Sequence, residues 1–144
     1  MTDLEEPGKD AANIKRKLET EYTFEPKNVV MLSDPSRGQI LDQFDRLSRE
    51  LTEKDNLLVF YAGHGYWDEQ TSQGYWLPSD ASQNRRRDWI ANSTVVDYMN
   101  GIKTKHTLLV ADACFSGGIF KTRSALASPQ QPPTRCTTCR VARP

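Results

Sequence analysis

The chain has 144 residues and a formal net charge of +0, from 19 Lys and Arg against 19 Asp and Glu. That length fits one domain with a real core, and no basic stripe points to nucleic acid or an anionic membrane surface as partner. Only 37% of the residues are hydrophobic, so part of the chain is expected to stay outside a packed core.

The first ten residues, Met1 to Asp10, are acidic and lack the basic-then-apolar layout of a secretory signal. The longest apolar run, Leu57 to Ala62, is far too short to span a bilayer. A cytoplasmic protein with no membrane partner is therefore expected. Cys114, Cys136 and Cys139 are an odd, sparse set that makes no disulfide framework, and in a reducing compartment Cys114 stays available as a thiol.

Along residues 10–22, Ala11, Ile14 and Leu18 share one helical face. Asn28 to Leu32 reads as a short buried strand, closed by Ser33-Asp34-Pro35, where Asp34 can cap a helix and Pro35 can occupy its first turn. Ile40, Phe44, Leu47 and Leu51 then mark the clearest helix in the chain. Leu57 to Tyr61 is an unbroken apolar run of strand length, followed by a polar, glycine-containing loop from Gly63 to Asp80. Val95, Val96, Met99 and Ile102 suggest a helix over 93–102, and Thr107 to Ala111 a third buried strand. Continuous apolar strands alternating with helices imply an α/β sandwich around a mostly parallel sheet. From Ser128 onward the chain is Pro-rich without period, and residues 128–144 read as a disordered tail.

Active residues of open parallel sheets collect past the C-terminal ends of strands. The second strand leads into Gly63-His64-Gly65, and the third into Asp112-Ala113-Cys114. If those strands are neighbours, His64 and Cys114 leave the same sheet edge together. A free thiol has a pKa of about 8.5, so a nucleophilic cysteine needs a base such as His64 to take its proton and later return it. The backbone N–H groups of Gly65 and Cys114 are the natural oxyanion donors. The plainer reading of each residue alone is a small core cysteine and a loop histidine; it is the pair that favours catalysis.

Three segments in order, Tyr61-Ala62-Gly63-His64-Gly65, Gly74-Tyr75-Trp76-Leu77-Pro78-Ser79-Asp80-Ala81 and Asp112-Ala113-Cys114-Phe115-Ser116-Gly117, resemble the caspase/metacaspase superfamily, and more closely its bacterial caspase-like and metacaspase members. Caspases place the histidine about 50 residues before the cysteine, a separation that His64 and Cys114 keep. Asp112 stands where animal caspases have Gln, which points to the metacaspase side. The resemblance covers roughly residues 8–120 and implies a caspase-hemoglobinase-like three-layer sandwich, with a partial peptidase domain over 8–127. The sandwich is expected to be incomplete at both ends, because family members usually begin with an apolar strand and continue past the cysteine with further strands.

The activity implied is cysteine-type endopeptidase, through a Cys-His dyad and a thioester. Metacaspase resemblance further implies cleavage after Arg or Lys, with Asp112 and Asp10 binding the substrate cation, since paired carboxylates hold a guanidinium through charge-assisted bonds. The plain alternatives are a helix cap for Asp10 and a solvated strand end for Asp112. No cofactor is expected, although the resemblance allows calcium without assigning ligands. Partners are a peptide or protein substrate and, beyond it, a homo-oligomer or regulatory partner. One rival function is a catalytically incompetent caspase-like fragment acting as a binding or regulatory module; another is a thiol hydrolase acting on a non-peptide acyl group. Cys136 and Cys139 have the spacing of half a zinc site, with no second pair or His to complete it. Arg85-Arg86-Arg87 reads as a solvated loop or a self-cleavage site, and Trp67, Tyr75 and Trp76 as cover for the loop after His64 or as the lining of a peptide groove.

Overall fold

A computed structural model describes residues 7–82, 84–116 and 139–142. Helix α1 spans Pro7–Thr20, three residues ahead of its predicted start. Its Ala11 and Leu18 are buried, as the spacing of that face requires. A single 3₁₀ turn, Pro26–Asn28, leads into strand β1, Val29–Met31.

Helix α2 spans Arg37–Glu50, and its cap is Ser36 rather than the predicted Asp34. Ser36 Oγ accepts from the Gln39 N–H at 3.2 Å, and Gln39 Oε1 accepts from the Ser36 N–H at 2.8 Å. Two orphan donors are thus satisfied reciprocally, and Asp80 Oδ1 accepts a third, the Arg37 N–H, at 2.8 Å. Asp34 instead takes a left-handed φ of 47° in the preceding turn, a conformation that Asp tolerates better than most residues.

Strand β2, Asn56–Asp68, runs seven residues beyond its predicted end at Tyr61. The expected loop is a hairpin: β3, Gln73–Leu77, returns antiparallel from Asp68↔Gln73 to His64↔Leu77. Strand β4, Ile90–Ala91, pairs with β3 and opens into helix α3, Asn92–Gly101. Strand β5, His106–Ser116, lies parallel to β2 along eleven residue pairs. Cys139–Ala142, expected to belong to an unstructured tail, is strand β6, antiparallel to both β1 and β2. Residues 128–138 and 143–144 of that tail lie outside the described residues.

Among the described residues the sheet runs β1-β6-β2-β3-β4, with β5 along the other edge of β2. Strands β1, β2 and β5 are therefore parallel to one another. Side-chain alternation divides β2 between two cores. Leu57, Val59 and Tyr61 join Ile40, Phe44 and Leu47 of α2 and Val95 of α3 in the main cluster. Phe60 and Ala62 pack with Ala11 of α1, and Leu58 against Leu18 and Val29. One helix on one face and two on the other make the three-layer sandwich. Burying a side chain such as Phe44, which is 1% exposed, contributes about 1.5–3 kcal/mol, so α2 holds through this stripe far more than through its exposed Arg46–Glu50 ion pair.

Candidate active site

The site is assembled by one strand pairing. In the β2–β5 ladder the Cα partners run from Asn56↔His106 through Tyr61↔Ala111 and Ala62↔Asp112 to His64↔Cys114 and Tyr66↔Ser116. Adjacent strands lie about 4.8 Å apart, so residue 114 of the backbone stands directly beside residue 64. Both were predicted in loops just past their strands; both lie within strands, because the hairpin extends β2 and β5 follows it. Gly65 is likewise inside the sheet, between Phe115 of β5 and Trp76 of β3.

The same register orders the carboxylates. Even-numbered residues of β2 face α1, and in a pleated sheet laterally paired residues share a face. Asp112, the partner of Ala62, is therefore on the α1 face with His64, and it is exposed. Asp10 is exposed in the first turn of α1, next to the Ala11 that is buried with Phe60 and Ala62. Asp112 thus stands on the α1 side of β5, and Asp10 in the turn of α1 that packs on Phe60 and Ala62 of β2. The odd-numbered Ala111 and Ala113 pack against the main core on the opposite face.

His64 is half-buried. Its backbone carbonyl accepts a 2.6 Å hydrogen bond from the Tyr61 hydroxyl. The Tyr61 ring lies on Trp76, with centroids 4.1 Å apart and planes within 6°. Trp76 is only 1% exposed, so it belongs to the core and does not cover a loop as predicted. The aromatic surface beside His64 is instead Tyr66 and Tyr75, laterally paired, each set against Trp89 at 5.0 and 5.5 Å. Trp89 is itself fixed: its Nε1–H donates to the Ser82 carbonyl at 2.9 Å, and its own carbonyl accepts from Arg37 Nε at 3.2 Å. Two adjacent aromatic pairs, Tyr66-Trp67 and Tyr75-Trp76 on either side of a polar segment, were a signal for this hairpin that the flanking glycines and polar residues outweighed.

The far end of the hairpin holds an acid that the sequence did not single out. Asp68 is buried, and its Oδ1 accepts from the Gln70 N–H at 3.0 Å. Arg86 Nη1 lies 2.8 Å from Oδ2, a charge contact without hydrogen-bond alignment. Burial pushes this carboxyl up, but the Thr71 side chain, the Gln70 N–H, the Arg86 charge and the Thr71 backbone together hold it below its ordinary value. Arg85 and Arg87 both approach Asp88, at 3.1 and 3.6 Å, so all three arginines of the Arg85–Arg87 run have an acid partner in Asp68 or Asp88. His106, the first residue of β5, is exposed and lies beside Asn56.

Among the described residues no group of three or more His, Cys, Asp or Glu side chains is arranged to hold a metal ion. No helix among them is long and apolar enough to cross a membrane. Cys136 lies outside the described residues.

A comparison with protein-family models matches residues 1–140 to the caspase domain. No curated protein matches the chain significantly. The match spans nearly the whole chain and agrees with the three-layer sandwich; the chain belongs to the caspase-domain family of cysteine peptidases.

Proposed function

We propose that the chain is a cysteine endopeptidase in which His64 and Cys114 form the dyad and a substrate Arg or Lys is held by Asp112 and Asp10. One observation carries the reading: His64 and Cys114 are Cα partners in the parallel β2–β5 ladder. His64 takes the Cys114 proton, and the thiolate attacks the scissile carbonyl carbon. The C=O bond opens to an oxyanion, for which the Gly65 and Cys114 N–H groups are the proposed donors. For them to serve, the ladder beyond the 64/114 pair has to loosen when substrate enters. Collapse of the tetrahedral species breaks the C–N bond, and His64 returns the proton to the departing amine. Water, deprotonated by His64, then attacks the thioester, releasing the carboxylic acid and regenerating the thiol.

The preference for a basic residue is supported by two exposed carboxylates on the α1 side of the sheet, Asp112 on β5 and Asp10 in the first turn of α1. The test is cleavage of fluorogenic peptides differing only at P1 (Arg, Lys, Asp, Ala), with and without calcium, alongside Cys114→Ala. Cleavage after Arg or Lys that vanishes in Cys114→Ala is expected. Cleavage after Asp alone would keep the dyad and remove the basic pocket. No cleavage by folded protein would favour a second reading, a caspase-like regulatory module. That reading has its own support in β5, whose Leu108 and Val110 are 58% and 39% exposed on the α1 face, an apolar surface suited to a protein partner.

A further inference from the structure

We propose that Tyr61 is a positioning residue for His64, its hydroxyl fixing the His64 carbonyl and, through it, the direction in which the imidazole leaves the strand. The inference rests on the dyad reading and adds a residue to it.

Tyr61 is 1% exposed within the main core. Packing alone does not require its hydroxyl there. Phe60, the preceding residue, fills the opposite face with a plain phenyl ring, and a phenyl at 61 would stack on Trp76 equally well. Burying a hydroxyl costs free energy unless it is bonded, and here the bond goes to the backbone of the histidine three residues along the strand, at 2.6 Å. Tyr61 reaches it by lying along the strand rather than standing away from it. Tyr61, Gly63 and Gly65 share one face of β2 by alternation. Gly63 therefore leaves open the strip the ring crosses, and Gly65, paired with Trp76, leaves room for the indole beneath it. The glycines flanking His64 thus have a second use, on the side of the sheet away from His64. They admit a rigid aromatic pair that locks the peptide following the histidine.

The consequence is catalytic geometry. An imidazole displaced by about 1 Å can lose on the order of a hundredfold in rate, and side chains that act in chemistry need a supporting layer that fixes their rotamer. The Gly63-His64-Gly65 stretch of β2 has no flanking side chains to support the imidazole, because each glycine lacks a Cβ and leaves the backbone freer than any other residue.

The experiment compares wild type, Tyr61→Phe, Trp76→Phe and His64→Ala by steady-state cleavage of an arginyl peptide and by the rate of Cys114 alkylation with iodoacetamide at pH 7, well below the melting temperature of each variant. Tyr61→Phe is expected to lower kcat about five- to twentyfold, with KM within about twofold, and to slow Cys114 alkylation, because less of the thiol is deprotonated by a misaligned imidazole. A purely structural hydroxyl would lower the melting temperature and leave kcat and alkylation unchanged in the folded protein, which would overturn the proposal. If Tyr61→Phe does not fold, Trp76→Phe decides: it keeps the hydroxyl but narrows its support, so kcat should fall about two- to fivefold, and an unchanged kcat would overturn the proposal. His64→Ala separates the two claims. Loss of activity and of rapid alkylation in it, beside a normal Tyr61→Phe, refutes the positioning role alone, whereas retained activity refutes the dyad and the positioning role together.

Discussion

Val59 and Val110 lie on adjacent strands within one residue of the same level, since Val59 pairs with Leu109 and Phe60 with Val110. They face opposite layers, and Val59 is 0% exposed against 39% for Val110. Replacing each by Ala removes the same two methyl groups. At Val59 the lost transfer free energy is about 1.6 kcal/mol at roughly 0.8 per carbon, and the cavity left between β2 and α2 brings the total to about 2–3 kcal/mol. At Val110 the burial lost is at most about 1 kcal/mol, with no closed cavity to add. The lower strand propensity of Ala weakens both alike, so the difference of about 1–2 kcal/mol reports burial. Urea melts followed by tryptophan fluorescence should show it, and thermal melts should place Val59→Ala roughly 4–8 °C below Val110→Ala. Equal losses would refute the assignment of odd residues to the main core and even residues of β5 to an open face. That assignment is also what puts Asp112 on the His64 side.

Three further outcomes follow from particular contacts. Ser36→Ala removes the acceptor of the α2 capping box and should cost about 1 kcal/mol in a denaturant melt, whereas Asp34→Ala should leave the cap intact. Asp68, held below its ordinary value, stabilises the folded chain above the unfolded carboxyl pKa of about 3.9, and that contribution is lost as pH falls through the lower folded value. Asp68→Asn should therefore destabilise the protein at pH 7 and lose its effect in strong acid; an effect that grew on acidification would contradict the sign. Asp112→Asn should lower kcat/KM for an Arg-P1 peptide about 10–100-fold, the worth of a charge-assisted bond, with Cys114 alkylation unchanged.

Much of this architecture is legible in the residues. The helical stripe of Ile40, Phe44 and Leu47 and the apolar run at 57–61 announce α2 and β2, because each buries one face or both against a neighbour; the run at 107–111 announces β5, but Leu108, Leu109 and Val110 are exposed rather than buried as the run suggests. The hairpin was not legible, because Gly63, Gly65 and Gly74 carry strong turn propensity, and only tertiary pairing between β2 and β3 overrides it. Strand β6 was missed for a related reason. Cys139–Ala142 has no pattern of its own and becomes a strand by filling the position between β1 and β2. The cap at Ser36 could have been read from Ser36 followed by Gln39, a capping-box spacing that the more conspicuous Asp34-Pro35 obscured. His64 and Cys114 were found because their chemistry is rare and their strands simple. Tyr61 was hidden because its hydroxyl acts on a backbone atom, which no side-chain pattern records.

The most direct test of the dyad is covalent capture. Purified protein would be treated with a peptidyl chloromethylketone ending in Arg, and the adduct mapped by mass spectrometry in wild type and in His64→Ala. A single adduct on Cys114, formed rapidly in wild type and lost or greatly slowed in His64→Ala, is the expected result. Labelling of Cys114 that His64→Ala leaves unchanged, or labelling spread equally over Cys114, Cys136 and Cys139, would contradict it.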